Sequence, residues 1–198
     1  MRPYVTIVDD FFDDFAAMRG EALRAEYKDA AHKHGKYPGR NSQHSYATDE
    51  AIRKLAFITG GPIRWDPNIG SGHFRSTLAS DVRDELSVHF DATTFSAVIY
   101  LNSPEQCAGR LGTKFWRHVR TGVNAAPADP AQRTETMRTV VSPDTLDESK
   151  WELELAVPMV SNRMVLYRAP LFHSPADEFG TDVATGRLIQ VFFFNRAR

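Results

Sequence analysis

Hydrophobic and polar positions along the chain change their period near residue 62, and the change divides it in two. Before it, Val5, Ile7 and the run to Phe12 suggest a short opening strand. Phe12, Phe15, Ala16, Leu23 and Tyr27 then recur at helical spacing, which predicts one amphipathic helix to about Lys28, with Asp9 or Asp10 placed to cap its start. The segment from Ala30 to Ser45, with His32, His34, Gly35, Pro38 and Gly39, is polar and turn-rich and reads as a surface loop. A second helix is predicted from Asp49 to Thr59. Thr48 can cap it, Ile52, Leu55 and Ala56 share a face, and Gly60-Gly61-Pro62 stops it.

Beyond Pro62 the period is near two. Runs at 72–80, 83–90, 95–102, 110–119, 163–168 and 187–195 are short, rich in Phe, Val, Ile, Thr and Tyr, and bounded by Gly, Pro, Asn or Asp. No long helical pattern separates them. Antiparallel pairing in a sandwich or jelly roll follows, with the early helices packed on one outer face. The expected class is therefore mainly β with flanking N-terminal helices (α+β). The chain reads as one domain over 1–198, with 1–62 as helical support and 63–198 as the β core. Residues 121–150, containing Ala125-Ala126-Pro127-Ala128-Asp129-Pro130 and Ser142-Pro143-Asp144, interrupt that core. A segment of this length is either a lid-like insertion or a passive surface excursion, with a helical turn near Leu146 to Leu153.

Composition narrows the partners rather than the fold. With 42% hydrophobic and 25% charged residues over 198 positions, disorder, collagen and coiled coil are excluded. A net charge of −1 leaves no global field to hold nucleic acid or an acidic membrane surface. Cys107 is the only cysteine, so neither an internal disulfide nor a thiolate zinc cluster can form. No apolar run approaches a membrane span, and the start lacks the basic-then-apolar order of a signal peptide. A cytoplasmic protein is expected, and its oligomeric state is not legible.

The chemistry concentrates in Val88-His89-Phe90-Asp91. On an extended strand His89 and Asp91 project to one side and Phe90 to the other, so two ligands for one metal can come from a single strand. A His-x-Asp pair is common by chance and needs a third ligand. His173, just after the apolar run Met164 to Tyr167, is the best candidate; the alternative is a buried histidine satisfied by a backbone carbonyl. Arg187 opens the last apolar strand, where it must reach solvent or meet an anion, and its planar fork suits a carboxylate. The alternative is a rim arginine paired with Asp177, Glu178 or Asp182.

The order His89-x-Asp91, Tyr100-Leu101-Asn102, Gly109-x-Leu111-Gly112, His173 and Arg187 resembles the iron(II)- and 2-oxoglutarate-dependent dioxygenases, and within them the prolyl 4-hydroxylase-like branch and its small bacterial relatives. The resemblance covers roughly residues 70–195. It implies a double-stranded β-helix of the jelly-roll or cupin-like kind. It implies His89, Asp91 and His173 as ligands of Fe(II), with open positions for 2-oxoglutarate and O2, Arg187 on the distal carboxylate of the cosubstrate, and Tyr100 adding a hydroxyl hydrogen bond to it. The implied reaction hydroxylates a C–H bond of a small molecule, amino acid or peptide and releases succinate and CO2. The carboxylate of Asp91 sets the chain apart from halogenating relatives. Two departures stand out: residues 76–84 contain no tyrosine, and the interval from His173 to Arg187 exceeds the family's usual one, requiring a larger loop at Asp177 to Thr185.

Arg75, Trp116 and Arg117 are candidates for substrate contact at the mouth, against a bland placement on a solvated face or, for Trp116, in the core. His73 and His118 lie outside the His-x-Asp motif and read as structural or substrate-facing. The rival to an oxygenase is a non-catalytic cupin-like module that binds or senses a metal or carboxylate, which would need no carboxylate clamp. A metal-free interaction domain, with incidental histidines, is a third reading.

Overall fold

The computed structural model describes residues 4–28, 39–81 and 87–197. The loop residues 30–38, with His32 and His34, and the first half of the strand expected at 83–90 lie outside them. Strand β1 (Val5–Val8) opens the chain. Helix α1 (Phe15–Arg24) follows, and its cap is Asp14, whose side chain accepts from Ala17 N. The expected caps are used elsewhere. Asp9 pairs with Arg163, and Asp10 turns the chain in the left-handed region at φ 52°, before a helix can start. Between the helices, Arg40–Ser45 forms an edge strand, β2, where a loop was expected. Its partner β4 supplies the backbone bonds, so polar residues suffice; only Ser42 is buried, its hydroxyl accepting from Phe74 N. Helix α2 (Asp49–Thr59) matches its expected bounds, with Thr48 accepting from Ala51 N and Gly60 at φ 80° closing the end. Its Leu55 is fully buried, and truncation to alanine would cost about 2–5 kcal/mol.

The remaining strands are β3 (Ile63–Trp65), β4 (His73–Thr77), β5 (Phe95–Tyr100), β6 (Leu111–His118), β7 (Trp151–Pro158), β8 (Met164–Arg168), β9 (His173–Pro175) and β10 (Arg187–Arg196). Every ladder among the described residues is antiparallel. The larger sheet runs β1-β8-β5-β10-β4-β2 with β3 also on β10, and the smaller runs β7-β6-β9. Strand alternation sorts the side chains. Phe95, Ala97, Ile99, Phe192 and Phe194 face α1 and α2, whereas Val98, Tyr100, Ile189 and Val191 point the other way, toward Phe115 and Val157 of the smaller sheet. Both faces of β5 and β10 are thus covered, which is why these strands are nearly continuous in apolar residues.

One turn, α3 (Pro104–Cys107), links β5 to β6. The 121–150 segment carries α4 (Pro130–Thr136) and a π-helical turn over Met137–Val141. Val140 and Val141 pack with Trp116, Trp151 and Phe172 on the side of the smaller sheet away from the larger one. His118 ties this segment down: it is buried, and its ring nitrogens lie 2.9 Å from Thr121 Oγ1 and Asp144 Oδ2. The helical turn expected to run to Leu153 stops at a 3-10 turn, Glu148–Lys150, and β7 begins at Trp151. The alternation Trp151-Glu152-Leu153-Glu154-Leu155 is the strand signal that expectation overlooked. Among the described residues no helix is long and apolar enough to cross a membrane.

Candidate metal centre

His89 and His173 are direct cross-strand neighbours. Each donates its backbone N–H to the other's carbonyl at 2.9 Å, an antiparallel pair that sends both side chains to one face and leaves the ring centroids 4.3 Å apart. Asp91, two residues on, is fixed by its N–H to Ala169 O at 2.9 Å. Ligand atoms of His89, Asp91 and His173 all lie within 4.8 Å of one another, a group able to hold one metal ion. Each imidazole is oriented in the same way: Nδ1 of His89 lies 2.9 Å from Ser87 O, and Nδ1 of His173 lies 2.8 Å from Leu171 O. A carbonyl only accepts, so each Nδ1 carries a proton and Nε2 is the nitrogen that would bind a cation. Ser96 Oγ donates to Asp91 Oδ2 at 2.6 Å, and His173 Nε2 stands 3.5 Å from the same oxygen.

The electrostatics suit a cation. Burial pushes His89 down to about 4, with the neighbouring His173 adding to it, so the ring is a neutral ligand at pH 7. Burial alone would raise the Asp91 carboxyl, but hydrogen bonding to His173, the charges of both histidines and the Ser96 hydroxyl bring it down to about 2. Two imidazoles and an ionised carboxylate form a donor set for a divalent first-row metal.

The three donors line a cavity of about 380 Å³ between the sheets. Arg187 lines it too, 4% exposed, with Nη2 donating to Gly112 O at 3.0 Å and Nε without a hydrogen-bond partner among the described residues. Val98, Ile189, Val191 and Phe193 supply apolar wall. Arg75 is also in the wall, because the ladder sets it opposite Ile189; its Nη1 donates to Asn41 Oδ1 at 2.9 Å.

Other candidates sit elsewhere. Tyr100 is fully buried and does not line the cavity: its hydroxyl shares a 2.9 Å hydrogen bond with Thr113 Oγ1, and Thr113 is the residue that reaches the wall. Gly112 is required beside it, since an added Cβ would overlap the phenol oxygen. Trp116 points out of the sheet interior, with Nε1 donating to Ser174 Oγ at 2.9 Å under the 121–150 segment. Arg117 pairs with Glu154 and is 42% exposed. A register shift between Phe115 and Trp116 separates them from the inward-facing run. Trp116 and Arg117 are therefore corrected to structural positions outside the cavity. Both ring nitrogens of His73 lie near carbonyls, of Ser42 and Pro67. Asp177 accepts from Leu111 N, and Asp182 from Thr185 N, so neither is the rim partner considered for Arg187. All of 121–150 is described and none of it lines the cavity.

Sequence reasoning missed Tyr167, Ser96 and Thr113. Tyr167 lines the cavity with its ring centroid 4.7 Å from that of His173, and burial, reinforced by the Asp91 charge, raises its phenol well above the ordinary value. It occupies a strand remote from residues 76–84, where a tyrosine was sought. The available signal was parity: Val165 and Tyr167 alternate with Met164 and Leu166, and Ser96 shares the parity of Val98.

Residues 79–194 match the model of a family described as a family of unknown function, DUF6445. No curated protein matches the chain. Solved structures similar to it include HygX from Streptomyces hygroscopicus with nickel and 2-oxoglutarate bound, and the same protein with hygromycin B also bound. Each is 14% identical, over 97% of this chain and 82% of that one, with a TM-score of 0.46. Another is TqaL, described as an Fe(II)/α-ketoglutarate-dependent dioxygenase, at 13% identity, the same coverage and the same TM-score.

Proposed function

The chain belongs to the DUF6445 family, and for it we propose the activity of a non-haem iron(II)- and 2-oxoglutarate-dependent oxygenase on a double-stranded β-helix, hydroxylating a C–H bond of a small substrate. One observation carries the reading: two imidazoles and a carboxylate converge in the wall of a cavity that also holds a buried guanidinium whose Nε has no partner among the described residues. A module that only binds metal needs no such donor.

His89 and His173 would hold iron through Nε2 and Asp91 through a carboxylate oxygen. The Nδ1 bonds to Ser87 O and Leu171 O keep the rings from turning, and Ser96 keeps the carboxylate from swinging. Iron(II) with dioxygen and 2-oxoglutarate supplies the oxidising power for attack on an unactivated C–H bond, with succinate and CO2 released. Arg187 would bind the distal carboxylate of the cosubstrate; its Nε is already desolvated and has no partner among the described residues, so the incoming anion would supply one. Thr113, fixed by Tyr100, offers a hydroxyl from the same wall. The apolar side chains of Val98, Ile189 and Val191 exclude water around the reacting carbon.

The purified protein with Fe(II) under nitrogen is expected to bind 2-oxoglutarate and develop a weak visible charge-transfer band, lost in His89→Ala. Well-folded protein showing neither binding nor band would overturn the reading.

A further inference from the structure

Glu178 lines the cavity together with Arg75, Asp91 and Arg187, and the oxygenase reading does not use it. It sits on the long connection between β9 and β10. That loop is closed firmly: Ala79 N donates to Gly180 O at 3.1 Å, Thr185 N donates to Asp182 Oδ1 at 2.8 Å, and Phe179 is buried under the Arg110 guanidinium, 4.0 Å from its ring centroid. The extra chain between His173 and Arg187 thus delivers one carboxylate to the cavity wall.

Glu178 Oε2 is buried and accepts no hydrogen bond from any described residue; Arg187 Nε is buried and donates none. The two groups are opposite in charge and line one cavity, yet neither atom satisfies the other. A buried acceptor and a buried donor left open in this way need different partners. A 2-oxoglutarate dianion serves the donor but has no hydrogen to offer the acceptor. The donor for Glu178 must therefore come from the other molecule that enters the cavity. Resting on the oxygenase reading, we infer that the substrate is a small molecule carrying a protonated amine and that Glu178 is its anchor.

A cation fits better than a neutral amide. Burial raises the Glu178 carboxyl while the charges of Arg187 and Arg75 and a hydrogen bond from Thr77 only partly offset this, so the ionised form is incompletely compensated and an arriving positive group would complete it. Size fits as well: the cavity of about 380 Å³ is small among ligand sites, which span roughly 300–1,000 Å³, and it must hold the diacid too. The part of the substrate inside is the size of an amino acid.

The test uses the full chain as its anaerobic Fe(II) and 2-oxoglutarate complex. It is titrated with free L-amino acids and short alkylamines, each beside its N-acetyl derivative, while the visible band and the heat of binding are followed. The expected result is that at least one amine shifts the band saturably, its N-acetyl form binds about 10-fold more weakly or worse, and Glu178→Gln weakens the amine about 30-fold without weakening 2-oxoglutarate. The inference is overturned if the band forms but no amine shifts it, if acetylation makes no difference, or if Glu178→Gln binds the amine like the parent. Should no band form in the parent, the oxygenase reading itself fails and takes the anchor with it.

Discussion

The metal-binding corner and the Arg187 and Glu178 pair line one cavity but differ in how completely their hydrogen bonds are made. In the corner, both Nδ1 atoms and the Asp91 carboxylate already have partners that fix their orientation. At Arg187 and Glu178 a buried donor and a buried acceptor have no partner among the described residues. The difference teaches what each waits for. A corner preorganised by its own backbone suits a resident ion, whereas open buried bonds suit molecules that arrive and leave with each turnover.

Substitutions break this comparison in a graded way. Arg187→Ala should have the largest effect at the open pair: 2-oxoglutarate affinity falls about 30-fold or more, as for loss of one partner of a buried charged contact, while calorimetry shows iron affinity unchanged. Loss of both together would mean the two regions are not separable. In the corner, Ser96→Ala leaves every ligand in place but frees the carboxylate, and iron affinity should drop about 10-fold, with a smaller change in the cosubstrate titration.

Glu178→Gln sharpens the comparison through stability. Because the folded protein holds this carboxyl above its ordinary value of 4.5, the folded state binds the proton more tightly than the unfolded one. Stability from this group is therefore full below about pH 4.5 and is lost as pH rises through the folded value. The unliganded variant should melt at a higher temperature than the parent at neutral pH, with the gap closing as pH falls toward 4.5. A lower melting temperature at neutral pH would show that Glu178 is internally compensated. Arg117→Ala should do least, shifting stability by less than about 1 kcal/mol and neither affinity, since its ion pair is exposed.

How much of this was legible follows the range of the interactions. Helix α2 was readable to its ends because caps and stop signals are local. His89 and Asp91 were readable because a spacing of two on an extended segment is also local. That His89 bonds directly to His173 was not, since cross-strand register over such a separation depends on the whole sheet. The same limit misplaced three residues. Tyr100 was expected at the cosubstrate, but Gly112 admits its ring beneath the strand and Thr113 takes the wall position. Trp116 and Arg117 were assigned to the mouth, and the register shift after Phe115 turns them outward. Arg75, by contrast, lines the cavity because it pairs with Ile189. Glu178 was visible only as a rim partner for Arg187; the long loop that carries it gave no sign in sequence of where its side chain would point.

The most direct measurement is an anaerobic crystal structure of the protein soaked with Fe(II) and 2-oxoglutarate. The account predicts one ion bound by His89 Nε2, Asp91 and His173 Nε2, and the far carboxylate of the diacid on Arg187 Nε, with Glu178 left unbonded to either. An ion bound elsewhere, or a diacid that bypasses Arg187 in an otherwise well-ordered cavity, would contradict it.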